Sequence, residues 1–294
     1  MSVKHKDHIK NQNLDRKKKG IQMRLLTLLL ALTIGLSNCL AGTIDPKVPD
    51  SKYVEYGAKH ECVVEIGGEY PEEKIGESNV CFRASAVIVK PRIVLTAAHV
   101  VEKAANMYIT LRDEDIKIKK AIILKAYDSS KFGPFDIAIC YLEKDAFIDF
   151  YPELYGKDDE VGKICSIAGF GMTGNHRYGA KVHDGKKRAG SNTIDEIFSG
   201  MLVCSLNTRP HTSLEFLIAS GDSGGGLFID QKLAGINSTI MTHKGGRLNS
   251  DIQDQSCHTR ISLHKPWIDF VISELESNKG LTGEKIDKQL FDFL

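Results

Sequence analysis

The chain of 294 residues is long for one ordinary domain and leaves room for one large domain or two small ones. Hydrophobic residues make up 42% and charged residues 26%, with 26 glycines and 8 prolines, which is the balance of a globular protein. This composition excludes a disordered, collagen-like or coiled-coil chain. The longest apolar run, Leu25–Leu36, is shorter than the roughly 18 residues that span a bilayer, so a polytopic membrane protein is also excluded.

The first 41 residues have the pattern of a secretory signal peptide. They carry eight Lys/Arg against two Asp/Glu, and the basic residues, among them Arg16–Lys19 and Arg24, precede the apolar run Leu25–Leu36. The alternative, a buried N-terminal helix, is disfavoured because this run has no amphipathic face. We therefore expect residues 1–41 to be removed on export, and the protein to be secreted or held in the periplasm or cell envelope.

Two processing sites compete at the end of this segment. Small residues up to Ala41, directly before Gly42, suit ordinary signal peptidase. The stretch Leu36–Cys39 instead resembles a bacterial lipoprotein box, in which Cys39 would carry a lipid anchor. Asn38 is a poor residue just before a lipidated cysteine, so soluble release is favoured.

From about Tyr53 onward, short β-branched runs alternate with turn residues, which predicts an all-β fold. The runs form two successive sets, so two β units in series are expected. The only strong helical pattern is near the C-terminus, where apolar residues recur at three- and four-residue spacing from Trp267 to Leu275. The segment Met172–Ser191 has no periodicity and is expected to be a mobile surface loop.

Three short motifs carry residues suited to nucleophilic catalysis. The apolar stretch Val94–Val100 presents His99 after two alanines. Asp136 opens another apolar strand, where a buried acid must be hydrogen-bonded. Ser223 lies among the glycines of Ser220–Gly226, where backbone N–H groups can approach a ligand closely. Taken singly, the three motifs fit a structural histidine, a strand cap and a turn.

In the order His, Asp, Ser, the motifs resemble the chymotrypsin-like (trypsin-fold) serine proteases over about residues 52–275. Cys165–Gly171 looks like the family's strand ending in Gly-aromatic-Gly, and Leu233–Ser238 looks like the strand after the nucleophile. Trp267 resembles the start of the C-terminal helix. The resemblance points to a secreted member of bacterial type.

The resemblance implies a fold and a division of the chain. The fold is all-β, with two six-stranded antiparallel β-barrels and a C-terminal α-helix. The protease domain would cover residues 52–278, with an N-terminal barrel at about 52–155, a C-terminal barrel at about 156–265 and the closing helix at 266–278. Residues 42–51 would be a linker and residues 279–294 a tail.

The resemblance also implies a serine endopeptidase that acts through an acyl-enzyme. His99 would take the proton of the Ser223 hydroxyl, which is too weak a nucleophile by itself. Asp136 would accept a hydrogen bond from the other imidazole nitrogen, and Ser238 resembles the serine that supports this aspartate. The N–H groups of Gly221 and Ser223 would form the oxyanion hole.

Several positions depart from the family pattern. Val100 replaces the cysteine that usually follows the catalytic histidine, and Ala84 occupies the place of its partner. Ile229 replaces the usual partner of Cys165. No Ile-Val-Gly-Gly-like activation sequence occurs near residues 42–60. In activated family members a new N-terminal amine pairs with the acid beside the nucleophile, here Asp222. We expect Asp222 to be satisfied instead by an internal donor or by the N-terminus left after signal removal.

The resemblance also places the substrate pocket. Leu217 falls at the pocket base, where trypsin-like enzymes carry an acid, so cleavage after Arg or Lys is not expected. Ser238 is also expected to be a substrate-binding residue. Thr239 and Ile240, which follow it, fall on one wall of the pocket, and Ser256 falls on the opposite wall. Side chains on both walls should narrow the pocket and favour small or medium aliphatic residues such as Ala, Val or Leu. If the match to the family is shifted by one residue around Ile240, the pocket would be open again.

Other functions are weighed against this one. A catalytically silent binding module with the protease fold is the leading alternative, but such proteins usually lose a triad member. No metal site is predicted, because neither Cys-x-x-Cys nor His-Glu-x-x-His spacing occurs, and no cofactor is expected. After Ala41 the chain has 31 basic and 36 acidic residues, so a nucleic-acid partner is not expected. The expected partner is a polypeptide substrate, and the protein is expected to be a monomer.

Six cysteines remain after Cys39, an even number in an exported chain, so disulfides are permitted. We expect Cys62 to pair with Cys81, and Cys204 with Cys257, because each pair joins strands expected to be neighbours in one barrel. Cys140 and Cys165 would then be buried thiols.

Overall fold

The structure is a computed structural model that describes residues 42–76, 78–131, 133–206, 211–242 and 248–277. The predicted signal peptide at residues 1–41 and the predicted tail at residues 279–294 lie outside the described residues. Within the described part of the chain, no helix is long and apolar enough to cross a membrane.

The described chain begins with a short strand and a helix. Strand β1 (Thr43–Ile44) is followed by helix α1 (Asp50–Ala58). The buried guanidinium of Arg188 donates to both carboxylate oxygens of Asp50, at 2.6 and 2.8 Å, and so fixes the first turn of α1. The segment predicted as a linker, residues 42–51, is therefore part of the folded domain.

Six antiparallel strands close the first barrel, in the order β2-β3-β4-β7-β6-β5. Fully buried aliphatic residues, such as Ile66, Ile88, Leu95 and Ile139, belong to its core. β-Branched residues fit this pleated, buried surface, and closure leaves no free edge. The strands are β2 (Val63–Ile75), β3 (Ser78–Lys90), β4 (Ile93–Thr96), β5 (Ala105–Leu111), β6 (Glu114–Ile123) and β7 (Ala138–Leu142). The short helix α2 (Ala98–Val101) follows β4.

Six further antiparallel strands close a second barrel, in the order β11-β12-β16-β15-β14-β8. Its core includes Ile167, Ile194, Leu202 and Leu227. The strands in this part of the chain are β8 (Ile164–Gly169), β9 (Thr173–Asn175), β10 (Gly179–Val182), β11 (Arg188–Phe198), β12 (Met201–Cys204), β13 (Phe216–Leu217), β14 (Gly226–Ile229), β15 (Lys232–Thr242) and β16 (Asp254–Arg260). The predicted fold of two six-stranded barrels is confirmed.

The helix that closes the fold, α3 (Ile261–Glu276), begins five residues earlier than predicted and contains Pro266 in its second turn. Its buried residues Trp267, Ile268, Val271 and Ile272 recur at three- and four-residue spacing. They belong to the same apolar cluster as the first-barrel core and as residues of β14 and β15. The helix therefore packs on a core that the two barrels share.

Strand β1 lies in a small sheet beside the second barrel, with strand order β10-β9-β1-β13. It pairs antiparallel with β13 and parallel with β9. The segment Met172–Ser191, predicted to be a mobile loop, contains β9, β10 and the start of β11. That prediction is wrong, because backbone pairing with distant strands, rather than side-chain periodicity, forms these short strands.

The strand register contradicts the predicted pair Cys62–Cys81. Val63 lies opposite Val87, whereas Cys81 lies opposite Glu69 in the same ladder. The two cysteines are therefore separated by about 20 Å at the usual rise of roughly 3.3 Å per strand residue. A disulfide needs Cα atoms within about 7 Å of each other.

The predicted pair Cys204–Cys257 is also wrong. Cys204 lies opposite Ser256, so Cys257 points to the other face of the sheet. All six cysteines in the described part of the chain are free thiols. The sulfur of Cys204 instead lies 3.9 Å from that of Cys165, inside the second barrel.

A buried histidine ties β1 to the loop between β9 and β10. His176 Nε2–H donates to the carbonyl of Thr43 at 3.0 Å, and the His176 N–H donates to the carbonyl of Ile44. Burial lowers the pKa of His176 to about 4, although the hydrogen bond to Thr43 opposes the shift. The folded protein therefore keeps this imidazole neutral in mild acid.

We expect His176→Gln to reduce the loss of stability in acid. The unfolded imidazole protonates near pH 6.5 and the folded one near pH 4, so the free energy of unfolding falls as the pH drops through this window. Glutamine can still donate to Thr43 but does not titrate. In urea unfolding between pH 6.5 and pH 4, the free energy of unfolding of the wild type should fall by up to about 3 kcal/mol more than that of the variant. Equal losses in the two proteins would contradict this assignment.

Candidate active site

His99 is placed by the end of β4 and the turn into α2. Ala97 and Ala98 are fully buried, so the chain turns tightly before the histidine, whose side chain is 40% exposed. Thr96 Oγ1 donates to the carbonyl of Ser85 at 2.9 Å and fixes the end of the strand. The imidazole is therefore held at the barrel surface with one side open.

Asp136 lies beside His99 and is bound to it twice. The His99 N–H donates to Oδ1 at 2.9 Å, and His99 Nδ1–H donates to Oδ2 at 2.7 Å. Ser238 Oγ, from the second barrel, donates to the same Oδ2 at 2.6 Å. Thr259 Oγ1 donates to the Asp136 carbonyl at 2.9 Å. The carboxylate therefore sits where the two barrels meet and fixes which imidazole nitrogen carries the proton.

The environment of Asp136 keeps its carboxyl ionised. Burial by itself would raise its pKa, but the hydrogen bonds and charge of His99, together with the Ser238 hydroxyl, hold the pKa below its usual range. A negative charge thus lies next to His99 at neutral pH and would stabilise an imidazolium there.

The loop that carries Ser223 is tied to the first barrel through Ser85 on β3. The Ser85 N–H donates to the Ser223 carbonyl at 2.9 Å, and Ser85 Oγ donates to the Gly221 carbonyl at 2.7 Å. Because Thr96 also binds Ser85, the half-buried Ser223 and the strand that ends before His99 share one anchor. The structure therefore holds the Ser223 loop and the strand that leads to His99 on the same residue of the first barrel.

Two glycines make this loop possible. Gly221 and Gly224 have φ values of +85° and +83°, which side chains rarely tolerate. A Cβ at Gly224 would collide with Ser85 O and Thr96 Oγ1, and a Cβ at Gly221 would lie 2.9 Å from Gly171 Cα. At Gly224 the loop therefore lies against the first barrel, and at Gly221 against Gly171, at distances that only glycine allows.

Asp222, beside Ser223, points away from the cleft into the protein. Its carboxylate accepts hydrogen bonds from the N–H groups of Gly171, Ala219 and Gly42, at 2.9, 3.0 and 2.8 Å. Burial raises its pKa to about 6, although these hydrogen bonds oppose the shift. Its donors are thus backbone groups, one of them at the first described residue.

The residues predicted for the substrate pocket lie on neighbouring elements. Leu217 is buried on β13, and the next residue, Ile218, donates its N–H to Ser256 Oγ at 2.9 Å. Ile240 lies directly opposite Ser256 across the β15–β16 ladder. Ser238, two residues before Ile240, reaches Asp136 instead.

Sequence reasoning missed the role of Ser85 and a cavity beside His99. Ser85 is a fully buried serine within an apolar run, and a buried hydroxyl that needs partners was the one available signal.

The cavity beside His99 has a volume of about 320 Å³, and its lining includes Tyr127, Lys131 and Thr239. No group of His, Cys, Asp and Glu in the described ranges is arranged to hold a metal ion.

Comparisons with known proteins fit this architecture. The profile of the trypsin family matches residues 74–268. Neuropsin, a serine protease expressed in the limbic system of mouse brain, superposes with a TM-score of 0.55 at 21% identity, covering 72% of this chain and 95% of neuropsin. HL collagenase superposes with a TM-score of 0.56 at 13% identity, covering 76% of this chain and 95% of the collagenase. No curated protein sequence matches significantly. The chain therefore belongs to the trypsin family, and its two barrels have the fold of the chymotrypsin-like serine proteases.

Proposed function

We propose that the protein is a serine endopeptidase in which Ser223, His99 and Asp136 form the catalytic triad. The observation that carries this proposal is the ionised Asp136, bound at 2.7 Å to Nδ1 of His99 beside the Ser223 loop. This contact leaves Nε2 of His99 as the nitrogen free to accept a proton. A base in this state is what a serine hydroxyl needs to become a nucleophile.

The reaction then has two halves. Ser223 Oγ attacks the carbonyl carbon of the peptide while its proton passes to His99 Nε2, and the carbonyl oxygen becomes an oxyanion. His99 gives the proton to the leaving amine, the C–N bond breaks and an ester on Ser223 remains. A water molecule, deprotonated by His99, then attacks this ester, and the proton returns to Ser223 as the acid leaves.

The N–H groups of Gly221 and Ser223 are proposed to bind the oxyanion. The positive φ of Gly221 and the bond from Ser85 Oγ to its carbonyl support this assignment, since both fix the orientation of the peptide groups in the loop. In comparable enzymes one such donor is worth about 3–4 kcal/mol of transition-state stabilisation.

We propose that the enzyme acts outside the cytoplasm as a soluble monomer on polypeptide substrates. The basic, apolar and small-residue segments of residues 1–41 support export, and the poor residue Asn38 disfavours a lipid anchor on Cys39.

We expect Ser223→Ala to abolish covalent labelling by a fluorophosphonate probe and to lower peptide hydrolysis by about 10⁴-fold or more. His99→Ala should cost a similar factor, and the double variant little more, because the members of a triad act as a unit. Thermal unfolding of each variant controls for folding. Undiminished hydrolysis by folded Ser223→Ala would exclude the mechanism, and a folded wild type that never labels would favour a binding module.

Ser238 is proposed as a positioning residue, and we expect Ser238→Ala to lower kcat about tenfold with little change in KM. The variant removes the hydroxyl that holds Asp136 Oδ2, so the imidazole is less well oriented in the transition state. The matched control is Ser166→Ala. Ser166 is on β8 of the same barrel as Ser238, and its hydroxyl is hydrogen-bonded to His60 rather than to Asp136. An effect on KM alone, or equal effects of both variants, would argue against positioning.

We expect a peptide library to show about tenfold or greater preference for Ala, Val or Leu over Arg before the cleaved bond. Leu217 supplies no counter-charge for a cation, and Ile240 opposite Ser256 narrows the walls. Ile240→Gly should add efficient cleavage after Phe while the active-site labelling rate stays unchanged. Dominant cleavage after Arg or Lys, or efficient cleavage after Phe by the wild type, would show that the pocket is assigned wrongly.

A further inference from the structure

We infer that Asn237 and His258 form a buried positioning pair, which aligns the active site from inside the second barrel. The pair holds the turn that follows Ser223, and it holds the strand position of Ser238, whose hydroxyl binds Asp136. This inference rests on the proposed function and adds two positioning residues to it. Both act through other residues of the site rather than on the substrate.

The main chain of Asn237 is bonded twice to the turn after Ser223. The N–H of Gly224 donates to the Asn237 carbonyl at 2.7 Å, and the Asn237 N–H donates to the Gly225 carbonyl at 2.8 Å. A third bond, from the Gly225 N–H to the Asp222 carbonyl at 2.9 Å, closes the turn around Ser223. A movement of Asn237 is therefore passed directly to the loop that carries the proposed nucleophile.

Ser238, the next residue, lies in a β-bulge of the ladder between β15 and β16. Asn237 pairs with His258 on β16, and the register shifts by one residue before Thr239. A bulge bends its strand and re-aims a side chain. Here the Ser238 hydroxyl reaches Asp136 at 2.6 Å. The pair of Asn237 and His258 is the last regular pair before the bulge and so fixes where the bulge begins.

The side-chain amide of Asn237 is bonded at both ends. Its Nδ2 donates to the carbonyl of Ala168 on β8 at 3.1 Å, and its Oδ1 accepts from Nδ1–H of His258 at 3.0 Å. Because Nδ2 donates to a carbonyl, Oδ1 faces the imidazole, and the imidazole carries its proton on Nδ1. A Cβ at Gly225 would lie 2.7 Å from Asn237 Nδ2, so the turn packs directly on this amide.

Both side chains of the pair are buried against the core of the second barrel. Asn237 and His258 are each 0% exposed. Leu202, directly opposite His258 on β12, belongs to that core. Nε2 of His258 is buried and has no hydrogen-bond partner within the described part of the chain. Burial lowers the pKa of His258 to about 3, so the imidazole stays neutral.

Stability alone does not account for such a pair. A buried nitrogen without a partner disfavours folding, whereas two apolar side chains of similar shape can replace a buried polar pair at little cost. Hydrogen bonds have preferred directions that apolar contacts lack, so they fix the rotation of the Asn237 amide and of the backbone that carries it. The geometry therefore assigns the pair to the alignment of the site rather than to the stability of the barrel.

The test separates alignment from stability with one double variant. In Asn237→Leu/His258→Phe, apolar side chains of similar shape replace both partners. The matched control, His60→Phe/Ser166→Ala, removes another bond between an imidazole and a side chain, which also ends on β8. Thermal unfolding, the rate of fluorophosphonate labelling, and kcat and KM for a fluorogenic peptide with leucine before the cleaved bond are measured for each protein.

We expect the double variant to unfold at the wild-type temperature or above it, because the replaced groups are polar and buried. It should nevertheless label at least about tenfold more slowly, with kcat lowered by a similar factor and KM little changed, because the site is misaligned. The control should label at the wild-type rate.

A folded double variant that labels at the wild-type rate, or an effect on KM alone, would overturn the inference and leave the proposed function intact. A double variant that does not fold would assign the pair to stability and would also overturn the inference. Absence of labelling in the folded wild type would instead overturn the proposed function, and the inference with it.

Two single variants test whether the hydrogen bond itself matters. His258→Asn places an amide N–H near the position of Nδ1 and can still donate to Asn237 Oδ1, whereas His258→Leu cannot. We expect kcat of the asparagine variant to be about fivefold or more above that of the leucine variant, with equal KM values. Equal kcat values in the two folded variants would contradict the inference, because the loss of ring volume would then account for the whole effect.

Discussion

The buried carboxylate of Asp136 is the contact on which the arrangement of the candidate site depends. It accepts two hydrogen bonds from His99, on the first barrel, and one from Ser238, on the second. A carboxylate in this place is unfavourable without such donors, so the barrels must pack in the one orientation that supplies them. The same contact that fixes the barrels relative to each other also orients the imidazole.

The Ser223 loop depends on the same junction from the other side. Ser85 of the first barrel binds the carbonyls of Ser223 and Gly221, and it accepts a bond from Thr96 near His99. A side chain at Gly224 would push the loop away from this contact. Hydrogen bonds between neutral groups and the close approach at Gly224, rather than charge, therefore place the serine loop.

The two buried acids differ in what surrounds them. Asp136 has the imidazole of His99 and a hydroxyl as partners, and its pKa lies below the usual range. Asp222 has backbone N–H donors, and burial raises its pKa to about 6. Environments that shift the pKa values of two carboxyl groups in opposite directions are typical of sites in which the two groups have different tasks. Asp136 faces the imidazole, whereas Asp222 points away from the cleft towards the backbone of Gly171 and Ala219.

The sequence by itself determined an all-β fold in two successive units and the closing helix, through local patterns: alternating β-branched runs and a helical spacing from Trp267 onward. The closure into two barrels and the choice of His99, Asp136 and Ser223 as candidate residues came from the resemblance to the chymotrypsin-like proteases. Only the tertiary structure decided the anchor at Ser85, the sheet that takes up Thr43–Ile44, the bond from Gly42 to Asp222 and the separation of Cys62 from Cys81. Each of these depends on which residues face each other across paired or packed segments, and therefore on strand register, in which a shift of one residue turns a side chain to the opposite face.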